Sequence, residues 1–377
     1  MTTPAYSPGL EGIVAGETAV STVGDGLRYR GYAVGELCEQ ASFDEVAHLL
    51  LYDDLPTARE LTEFQQRVAM ARRLPEALKQ LFPTLPKWSC PLDVLRTAVS
   101  AMAHFDQDAP DNSHEANLRK AERLLAQMPV AIADQYRVSR GLQPVLARQE
   151  LSHSANFLYM LRGVEPSPEE VRALDVSLIL YAEHEFNAST FTARVIVSTQ
   201  SDMHAAVVGA IGALKGALHG GANEKVMDVL RQSGGPDTAE QWLREKLAGK
   251  ERIMGFGHRV YKAGDVRAGI LKNYCTQATA GNPELQKWEE TAEIIERVMA
   301  AEKNMYPNLD WPAGRLYHAM NLDTSIYTPM FAMSRITGWA AHIMEQLSHN
   351  RLIRPRSNYI GEAARSVKPI ADRTKIV

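Results

Sequence analysis

Hydrophobic positions along this chain recur mostly at the spacing of helices. The stretch 43–51 has its apolar residues at i, i+3 and i+4 intervals, and Ser42 stands before it as a candidate N-cap. Thr57 can cap a second helix over 58–72 in the same way. Further amphipathic stretches of this kind cover 92–102, 116–128 and 153–161. These spacings predict a chain that is mostly α-helical.

Strand signals are confined to the N-terminal part of the chain. Residues 13–34 carry alternating β-branched and aromatic positions around Gly24-Asp25-Gly26, a turn sequence suited to a hairpin. Such patterns are scarce after residue 34, whereas 171–218 has little charge and predicts two or three buried helices, beginning near Pro168. We therefore predict an all-α fold with a small N-terminal β element.

Composition narrows the class of protein. The chain has 377 residues, of which 45% are hydrophobic and 23% charged, which is typical of a globular protein with one large or two moderate domains. Its three cysteines form no CxxC pair, and no apolar run approaches the roughly 20 residues of a membrane span. The net charge of −4 argues against nucleic acid as a partner. We expect a cytoplasmic protein that binds neither membrane nor nucleic acid.

One local departure from this charge balance concerns residues 244–272. They hold eight Lys or Arg against three acidic residues, a positive excess inside a negatively charged protein. Such a run is usually a solvated helix face, but it can also form an anion site. Because His258 lies in its middle, we favour an anion site for a phosphorylated cofactor and a dicarboxylate.

Three residues together indicate chemistry through an enolate. His219 precedes Gly220-Gly221-Ala222-Asn223, His258 lies between Gly257 and Arg259, and Asp310 precedes Trp311. Each alone fits a structural role. Glycines beside the histidines let the backbone approach a ligand, and a carboxylate desolvated beside tryptophan becomes more basic. A carboxylate that removes a weakly acidic α-hydrogen needs the developing oxyanion stabilised by donors, which neutral imidazoles supply.

Other catalytic classes have less support. His184 and Glu185 are followed by Ala188 where the HExxH of zincins has its second histidine, and the chain has neither GxSxG nor GxGxxG. A metal site built from His184, His219, His258 and Asp310 would lack any i, i+4 ligand pair. We therefore expect no metal, and keep a metal-dependent lyase or hydrolase as an alternative.

Six motifs, in this order, resemble those of the citrate synthase family. They are AEHEFNASTFTAR (182–194), GAIGALKGALHGGANE (209–224), IMGFGHRVYK (253–262), YPNLDW (306–311), SRITGWAAHIMEQ (334–346) and RLIRPRSNY (351–359). GLEGIVAGET, YRGY and DEVAHLLL near the start resemble the N-terminal region of the family. The similarity covers nearly the whole chain, and the set of motifs is highly specific.

The resemblance implies a homodimer with a two-domain, multi-helix fold. Residues 1–219 with 317–377 would form a large helical domain and residues 220–316 a small one, with the active site in the cleft between them. Glycines at 220–221 would serve as hinges for closure, which keeps water from the thioester. The substrates would be an acyl-CoA and oxaloacetate, and no cofactor is expected because the CoA thioester is itself a substrate.

The resemblance also implies a role for each candidate residue. Asp310 would remove the α-proton of the acyl-CoA, His219 would donate to the thioester oxygen, and His258 would polarise the oxaloacetate carbonyl. Lys262 would contact a CoA phosphate. The further oxaloacetate ligands would be His184, Arg267, Arg335 and, reaching across from the partner subunit, Arg354. Arginines suit this task because oxaloacetate carries two carboxylates.

Departures from the common family pattern bear on the acyl group. Tyr181 stands where many members have histidine and Leu309 where many have valine, as in the 2-methylcitrate synthase branch and its dual-specificity relatives. Arg267 lies in DVR rather than the usual DPR. The chain resembles the small type without NADH regulation, so we expect no NADH control.

The leading hypothesis is therefore a condensing enzyme of the citrate synthase type that uses acetyl-CoA, propionyl-CoA or both. A dedicated 2-methylcitrate synthase of propionate breakdown is the alternative within the class. A catalytically silent oligomeric homologue is the alternative outside it. The presence of His219, His258 and Asp310 argues against the silent homologue.

Overall fold

Helices dominate the structure, a computed structural model that describes residues 7–24, 26–257, 261 and 264–373. The α-helices in this part of the chain are α1 Val34–Gln40, α2 Phe43–Tyr52, α3 Ala58–Ala71, α4 Glu76–Leu81, α5 Pro91–Met102, α6 His114–Ser139, α7 His153–Arg162, α8 Pro168–Tyr181, α9 Ala188–Ser198, α10 Met203–Leu214, α11 Ala222–Ser233, α12 Pro236–Ala248, α13 Val266–Thr279, α14 Pro283–Lys303, α15 Asp310–Ala319 and α16 Tyr327–Ser348. The strands are β1 Ser21–Thr22, β2 Arg28–Tyr29 and β3 Tyr32–Ala33. The predicted all-α fold with a small N-terminal β element is confirmed.

The three strands form one antiparallel sheet in the order β1-β2-β3. Ser21 pairs with Tyr29, so the hairpin around residues 24–26 forms as predicted, although Asp25 itself lies outside the described residues. The strands are much shorter than the predicted stretch 13–34. The reason is that flanking N–H groups bond to carboxylates instead: Ala19 N–H donates to Glu345 and Val23 N–H to Glu185, both at 2.7 Å.

Most predicted helix starts are confirmed by their caps. Ser42, Thr57 and Ser167 each form a capping box at the start of α2, α3 and α8. The prediction that a helix ends at 128 is wrong, because α6 continues through Pro129 to Ser139. Proline costs about 3 kcal/mol inside a helix. Packing of α6 against α3, α5, α7 and α16 outweighs that cost.

Helix α16 lies at the centre of the fold. It is buried over nearly all its length and packs against α2, α6, α8, α9 and α10. Helices α11 to α15 pack chiefly on one another and meet the rest through α8, α16 and α1. The predicted domain boundary at 316/317 falls inside α15, and the two-domain division stays a prediction. None of the described helices has both the length and the apolar character needed to cross a membrane.

Candidate active site

Asp310 is the first residue of α15 and is held there by the segment before it. The Asn308 side chain accepts from the Asp310 N–H at 3.1 Å and donates to the Gly257 carbonyl at 3.1 Å. The N–H of Gly257 donates to the Tyr306 carbonyl, and that of Asn308 to the Gly255 carbonyl, each at 2.9 Å. The chain up to Gly257 is therefore fixed beside Asp310. His258 and Lys262, two predicted site residues, lie outside the described residues.

Gly255 is required for packing. Its φ is +89°, and a Cβ there would lie 2.7 Å from Trp311 Cε3 and 3.0 Å from Val226 Cγ2. Trp311 itself contacts Phe256, with ring centroids 4.6 Å apart. The space that a Cβ would need at Gly255 is therefore filled by the indole and by Val226.

The environment of Asp310 makes its carboxylate more basic than an exposed one. Burial raises the pKa of Asp310 to about 6. A hydrogen bond from the Tyr181 hydroxyl to Asp310 Oδ1, at 2.7 Å, and the charges of Arg267 and Arg335 oppose that rise. Asp310 is therefore ionised at neutral pH yet able to accept a proton.

His219 is held as a neutral imidazole in the turn after α10. Its Nε2 accepts from the backbone N–H of Ser189 at 3.3 Å and lies 2.8 Å from Ser189 Oγ. A backbone N–H can only donate, so Nε2 carries no proton and the proton sits on Nδ1. Burial, followed by the charge of Arg335, lowers the pKa of His219 to about 4. At neutral pH this side chain is an uncharged Nδ1–H donor.

His184 follows α8 in a turn fixed by a buried network. Arg194 Nη1 donates to His342 Nδ1 at 3.0 Å, so His342 Nε2–H donates to Glu183 Oε1 at 2.9 Å. The Ser21 hydroxyl donates to the same oxygen at 3.0 Å. Burial alone would raise the pKa of Glu183, but His342 and Arg335 outweigh it and hold that pKa below its usual value. His184 Nε2 itself lies 3.0 Å from the Tyr261 hydroxyl.

Helix α16 supports the site with one face. Arg335, Trp339 and His342, which the sequence places at i, i+4 and i+7, all face this region. Arg335 Nε donates to the Tyr181 carbonyl at 2.6 Å, and Trp339 Nε1 donates to Ser189 Oγ at 3.1 Å. In the part of the chain that the structure describes, Arg335 Nη1 is buried without a hydrogen-bond partner. An anionic ligand would satisfy such an unpartnered guanidinium nitrogen.

Arg267, by contrast, already has a carboxylate partner. Its Nε and Nη2 donate to the two oxygens of Asp265 at 2.9 and 2.7 Å. Asp265 Oδ2 also accepts from the Leu309 N–H at 3.2 Å, which ties the pair to the residue before Asp310. The structure thus places Arg267 near Asp310, while its direct contact with oxaloacetate stays a prediction.

The two predicted acyl-specificity residues are both next to the base. Tyr181 and Leu309 are 1% and 3% exposed. Arg354 is different, because it is exposed and follows Ile353, whose N–H donates to Ser198 Oγ at 3.1 Å. Ser198 ends α9 and Ser189 lies near its start, about 13 Å away at 1.5 Å per residue. Arg354 is thus anchored at the far end of α9 from His219 of its own chain.

Several supporting residues escaped the sequence analysis. Four of them contact a predicted site residue: Ser189 contacts His219, Asn308 contacts Asp310, Asp265 contacts Arg267 and Tyr261 contacts His184. The fifth is the buried Asn223 described below. Asn308 and Asp265 each stand two residues before the residue they bind, a local pattern that could have been found. Ser189 and Tyr261 act over long sequence separations and carry no such signal.

Half of the eight basic residues over 244–272 are paired with acidic side chains in the described part of the chain. The four pairs are Arg244 with Glu240, Lys246 with Glu251, Arg267 with Asp265, and Lys272 with Glu296. Arg259 and Lys262 lie outside the described residues. These four cations are therefore less available to an anionic ligand than the sequence count implied.

Comparison with known proteins places this geometry in context. A family model described as the C-terminal domain of citrate synthase matches residues 9–356. The chain is 46% identical to citrate synthase 2 of Bacillus subtilis, over 97% of this chain and 98% of that protein. It is also 46% identical to 2-methylcitrate synthase of Mycobacterium tuberculosis, over 96% of this chain and 92% of that protein.

A solved structure extends the comparison to bound ligands. The citrate synthase of Thermoplasma acidophilum, in a ternary complex with carboxymethyl coenzyme A and oxaloacetate, superposes with a TM-score of 0.93. It is 34% identical and the match covers 98% of this chain and all of that one.

Proposed function

The chain belongs to the citrate synthase family and is a condensing enzyme, and on that premise we propose that it joins acetyl-CoA or propionyl-CoA to oxaloacetate. The products would be citrate or 2-methylcitrate and free CoA. The observation that carries this proposal is the pairing of a buried, basic carboxylate with a buried, neutral imidazole donor. Asp310 and His219 supply these two groups.

The reaction begins with removal of the acyl α-proton by Asp310. A thioester α-hydrogen is a very weak acid, so the proton transfer needs the oxyanion stabilised as it forms. His219 Nδ1–H donates to that oxygen and, being neutral, does not compete for the proton. The enol carbon then attacks the oxaloacetate carbonyl, which His258 polarises by analogy with the family. Hydrolysis of the thioester releases CoA.

Oxaloacetate is held by His184, Arg335 and Arg267 in this proposal. The Nη1 of Arg335 supports a carboxylate contact most directly, since it is buried and has no hydrogen-bond partner among the described residues. Arg267 is paired with Asp265, which also accepts from the Leu309 N–H. Its contribution in this proposal is to hold the backbone at Leu309 in place and to add positive potential at the oxaloacetate site.

The choice of acyl group rests on a small difference. One methyl group is worth about 1–3 kcal/mol of discrimination. Tyr181 and Leu309 favour a pocket that admits propionyl-CoA, and relatives carrying either enzyme name are equally similar in sequence. A dedicated 2-methylcitrate synthase is therefore the second candidate function.

We also propose a homodimer whose active sites include Arg354 of the partner subunit. Arg354 is anchored about one helix length from its own His219. The chain around it is extended and exposes apolar side chains, among them Ile360 at 90%, while Val14 near the other end is 87% exposed. Exposed apolar segments of this kind need a covering surface, and a second copy supplies one.

Mixing two inactive variants tests the shared site. Asp310→Asn and Arg354→Ala each disable every site in their own homodimers. In hybrid dimers one of the two sites keeps both wild-type residues, so mixed protein should regain roughly a quarter of wild-type activity. Different affinity tags on the two variants, with co-purification through both, would confirm that subunits exchanged, and exchanged dimers without restored activity would contradict the shared site.

The function itself is tested by release of CoA thiol with oxaloacetate, comparing acetyl-CoA with propionyl-CoA. A tenfold preference in kcat/KM, about 1.4 kcal/mol, would assign citrate or 2-methylcitrate synthase by its direction. We expect no resident cofactor or metal, so activity should survive exhaustive chelation. No thiol release with either substrate would favour the silent homologue instead.

A further inference from the structure

Tyr181 contacts the proposed base directly. It is the last residue of α8, and its hydroxyl donates to Asp310 Oδ1 at 2.7 Å. Burial, and then the neighbouring charge of Asp310, raises the pKa of Tyr181 well above its usual value, so the phenol keeps its proton and is the donor. This bond joins two residues 129 positions apart and fixes one carboxylate oxygen.

The second carboxylate oxygen is left for the substrate. The backbone N–H of Asp310 bonds to Asn308, and the Tyr181 hydroxyl occupies Oδ1. Among the described residues, no hydrogen bond reaches Oδ2. With Oδ1 tethered and the backbone fixed, rotation of the carboxylate is restricted and Oδ2 is the oxygen presented to an incoming α-proton.

Asn223 is a second buried polar residue near the Tyr181 hydroxyl. Its side chain is 0% exposed, and neither its amide nitrogen nor its amide oxygen has a hydrogen-bond partner among the residues that the structure describes. Its amide is near enough to the phenol to lower the pKa of Tyr181 as a hydrogen-bond donor would. A buried amide left unpaired costs about 1–3 kcal/mol and needs an explanation.

Asn223 is also fixed relative to Asp310. A Cβ on Gly314 would lie 2.8 Å from the Asn223 carbonyl oxygen, so α11 and α15 are in close contact at this point. Asn223 and Asp310 therefore approach Tyr181 together from one group of helices. The Asn223 amide is therefore placed to act on the Tyr181 hydroxyl from the same group of helices that carries the base.

We propose that Tyr181, supported by Asn223, is a positioning residue that tethers Asp310 Oδ1 and presents Oδ2 to the α-carbon of the acyl group. The proposal rests on the function proposed above. It differs from the expectation that Tyr181 only shapes the acyl pocket. A pocket wall changes the ratio of the two acyl-CoA substrates, whereas a tether changes proton removal from both.

Tyr181→Phe tests the tether, because it removes the hydroxyl and keeps the ring. We expect kcat to fall about tenfold to a hundredfold with acetyl-CoA and with propionyl-CoA alike, while KM for oxaloacetate stays within about threefold. The bond lowers the pKa of Asp310, so its loss should move the acid limb of the pH profile to higher pH. Asn223→Ala should shift the limb the same way by less and leave the melting temperature unchanged.

Tyr317→Phe is the matched control. Tyr317 is also fully buried, but its hydroxyl bonds to Ser177 Oγ at 2.6 Å and not to Asp310. We expect its activity and acid limb to stay near those of the wild type. If the acid limb of Tyr181→Phe is unshifted and only the preference between acetyl-CoA and propionyl-CoA changes, Tyr181 does not position Asp310. Its role would then be to shape the acyl pocket. If kcat falls equally in Tyr181→Phe and Tyr317→Phe, the loss comes from general loosening of the core, and the proposed positioning role of Tyr181 is contradicted.

These outcomes are distinct from failure of the proposed function. If the wild-type protein releases no thiol with either acyl-CoA, the function fails. If the wild type condenses normally and Tyr181→Phe behaves like it in kcat and in pH dependence, only the tether fails.

Discussion

Asp310 and His219 are both buried, but burial shifts their pKa values in opposite directions. Burial moves both groups towards their uncharged forms, raising the pKa of Asp310 to about 6 and lowering that of His219 to about 4. The charge of Arg335 lowers both pKa values. At neutral pH the carboxylate is therefore ionised and the imidazole is not. Burial is thus the main reason that the donor is neutral, whereas Tyr181, Arg267 and Arg335 together oppose the effect of burial on the base.

The two side chains differ in the kind of group that holds each of them in place. His219 Nε2 accepts from a backbone N–H, which no substitution at Ser189 other than proline removes. Asp310 Oδ1 accepts from the side chain of Tyr181. The tautomer of the imidazole is thus fixed by the backbone, whereas the position of the carboxylate, and part of its pKa, depend on a replaceable side chain. The basicity of Asp310 should be tunable by mutation, and the tautomer of His219 should not.

Removing the base gives the largest expected effect. Asp310→Asn keeps the shape of the side chain but cannot accept the α-proton, so kcat should fall on the order of 10³-fold or more. The folded-state pKa of Asp310 lies above the usual unfolded value, so ionised Asp310 destabilises the fold above about pH 6. The melting temperature of the variant at pH 8 should therefore be equal or higher. Turnover within tenfold of the wild type would contradict the assignment.

Removing the donor comes next. His219→Ala should lower kcat roughly 10²- to 10³-fold, the usual loss for an oxyanion donor. Ser189→Ala is the control, because it removes the hydroxyl and keeps the backbone N–H that holds Nε2. Its kcat should stay within about fivefold of the wild type. A loss in Ser189→Ala as large as that in His219→Ala would show that the side chain, not the backbone, sets the imidazole.

Arg335 links the two surroundings, so its replacement sharpens the comparison. Arg335→Gln should raise KM for oxaloacetate at least tenfold, since hydrogen bonds to charged groups contribute about 1.5–3 kcal/mol. It should also move the acid limb to higher pH, because the charge that lowers the pKa of Asp310 is lost. Arg335→Lys keeps the charge without the forked donor and should raise KM with little shift of the limb. Equal limb shifts in both variants would contradict the charge argument.

The smallest expected effect is at Asn308. Asn308→Ala removes the acceptor of the Asp310 N–H and the donor to the Gly257 carbonyl. Loss of about 1 kcal/mol of hydrogen bonding should lower kcat about fivefold and leave the acid limb in place. A limb that moves in this variant would mean that the backbone before α15 tunes Asp310 as strongly as Tyr181 does.

The sequence was most informative where structure is set locally. Capping boxes at Ser42, Thr57 and Ser167 mark helix starts because each cap bonds within three residues. It failed at Pro129, where packing of α6 outweighs a local cost. Gly255 shows the same limit, since the residue that fills its space, Trp311, is remote in the sequence.

The candidate site divides in the same way. The sequence identified His219 and Asp310 through their neighbours, and the i, i+4, i+7 spacing of Arg335, Trp339 and His342 identified a shared face of α16. The groups that tune the site were not identifiable, because the Tyr181–Asp310 contact spans 129 residues and the His184–Tyr261 contact spans 77. Periodicity does not say which distant side chains meet.

The central claim is that one ionised carboxylate works beside one neutral imidazole, and the pH dependence of kcat/KM tests it most directly. Protonation of Asp310 removes the base, so activity should fall below a midpoint near pH 6 with a slope of one. His219 should add no second limb until about pH 4. A midpoint near 4, which is ordinary for an exposed aspartate, or a slope of two above pH 5 would contradict the account.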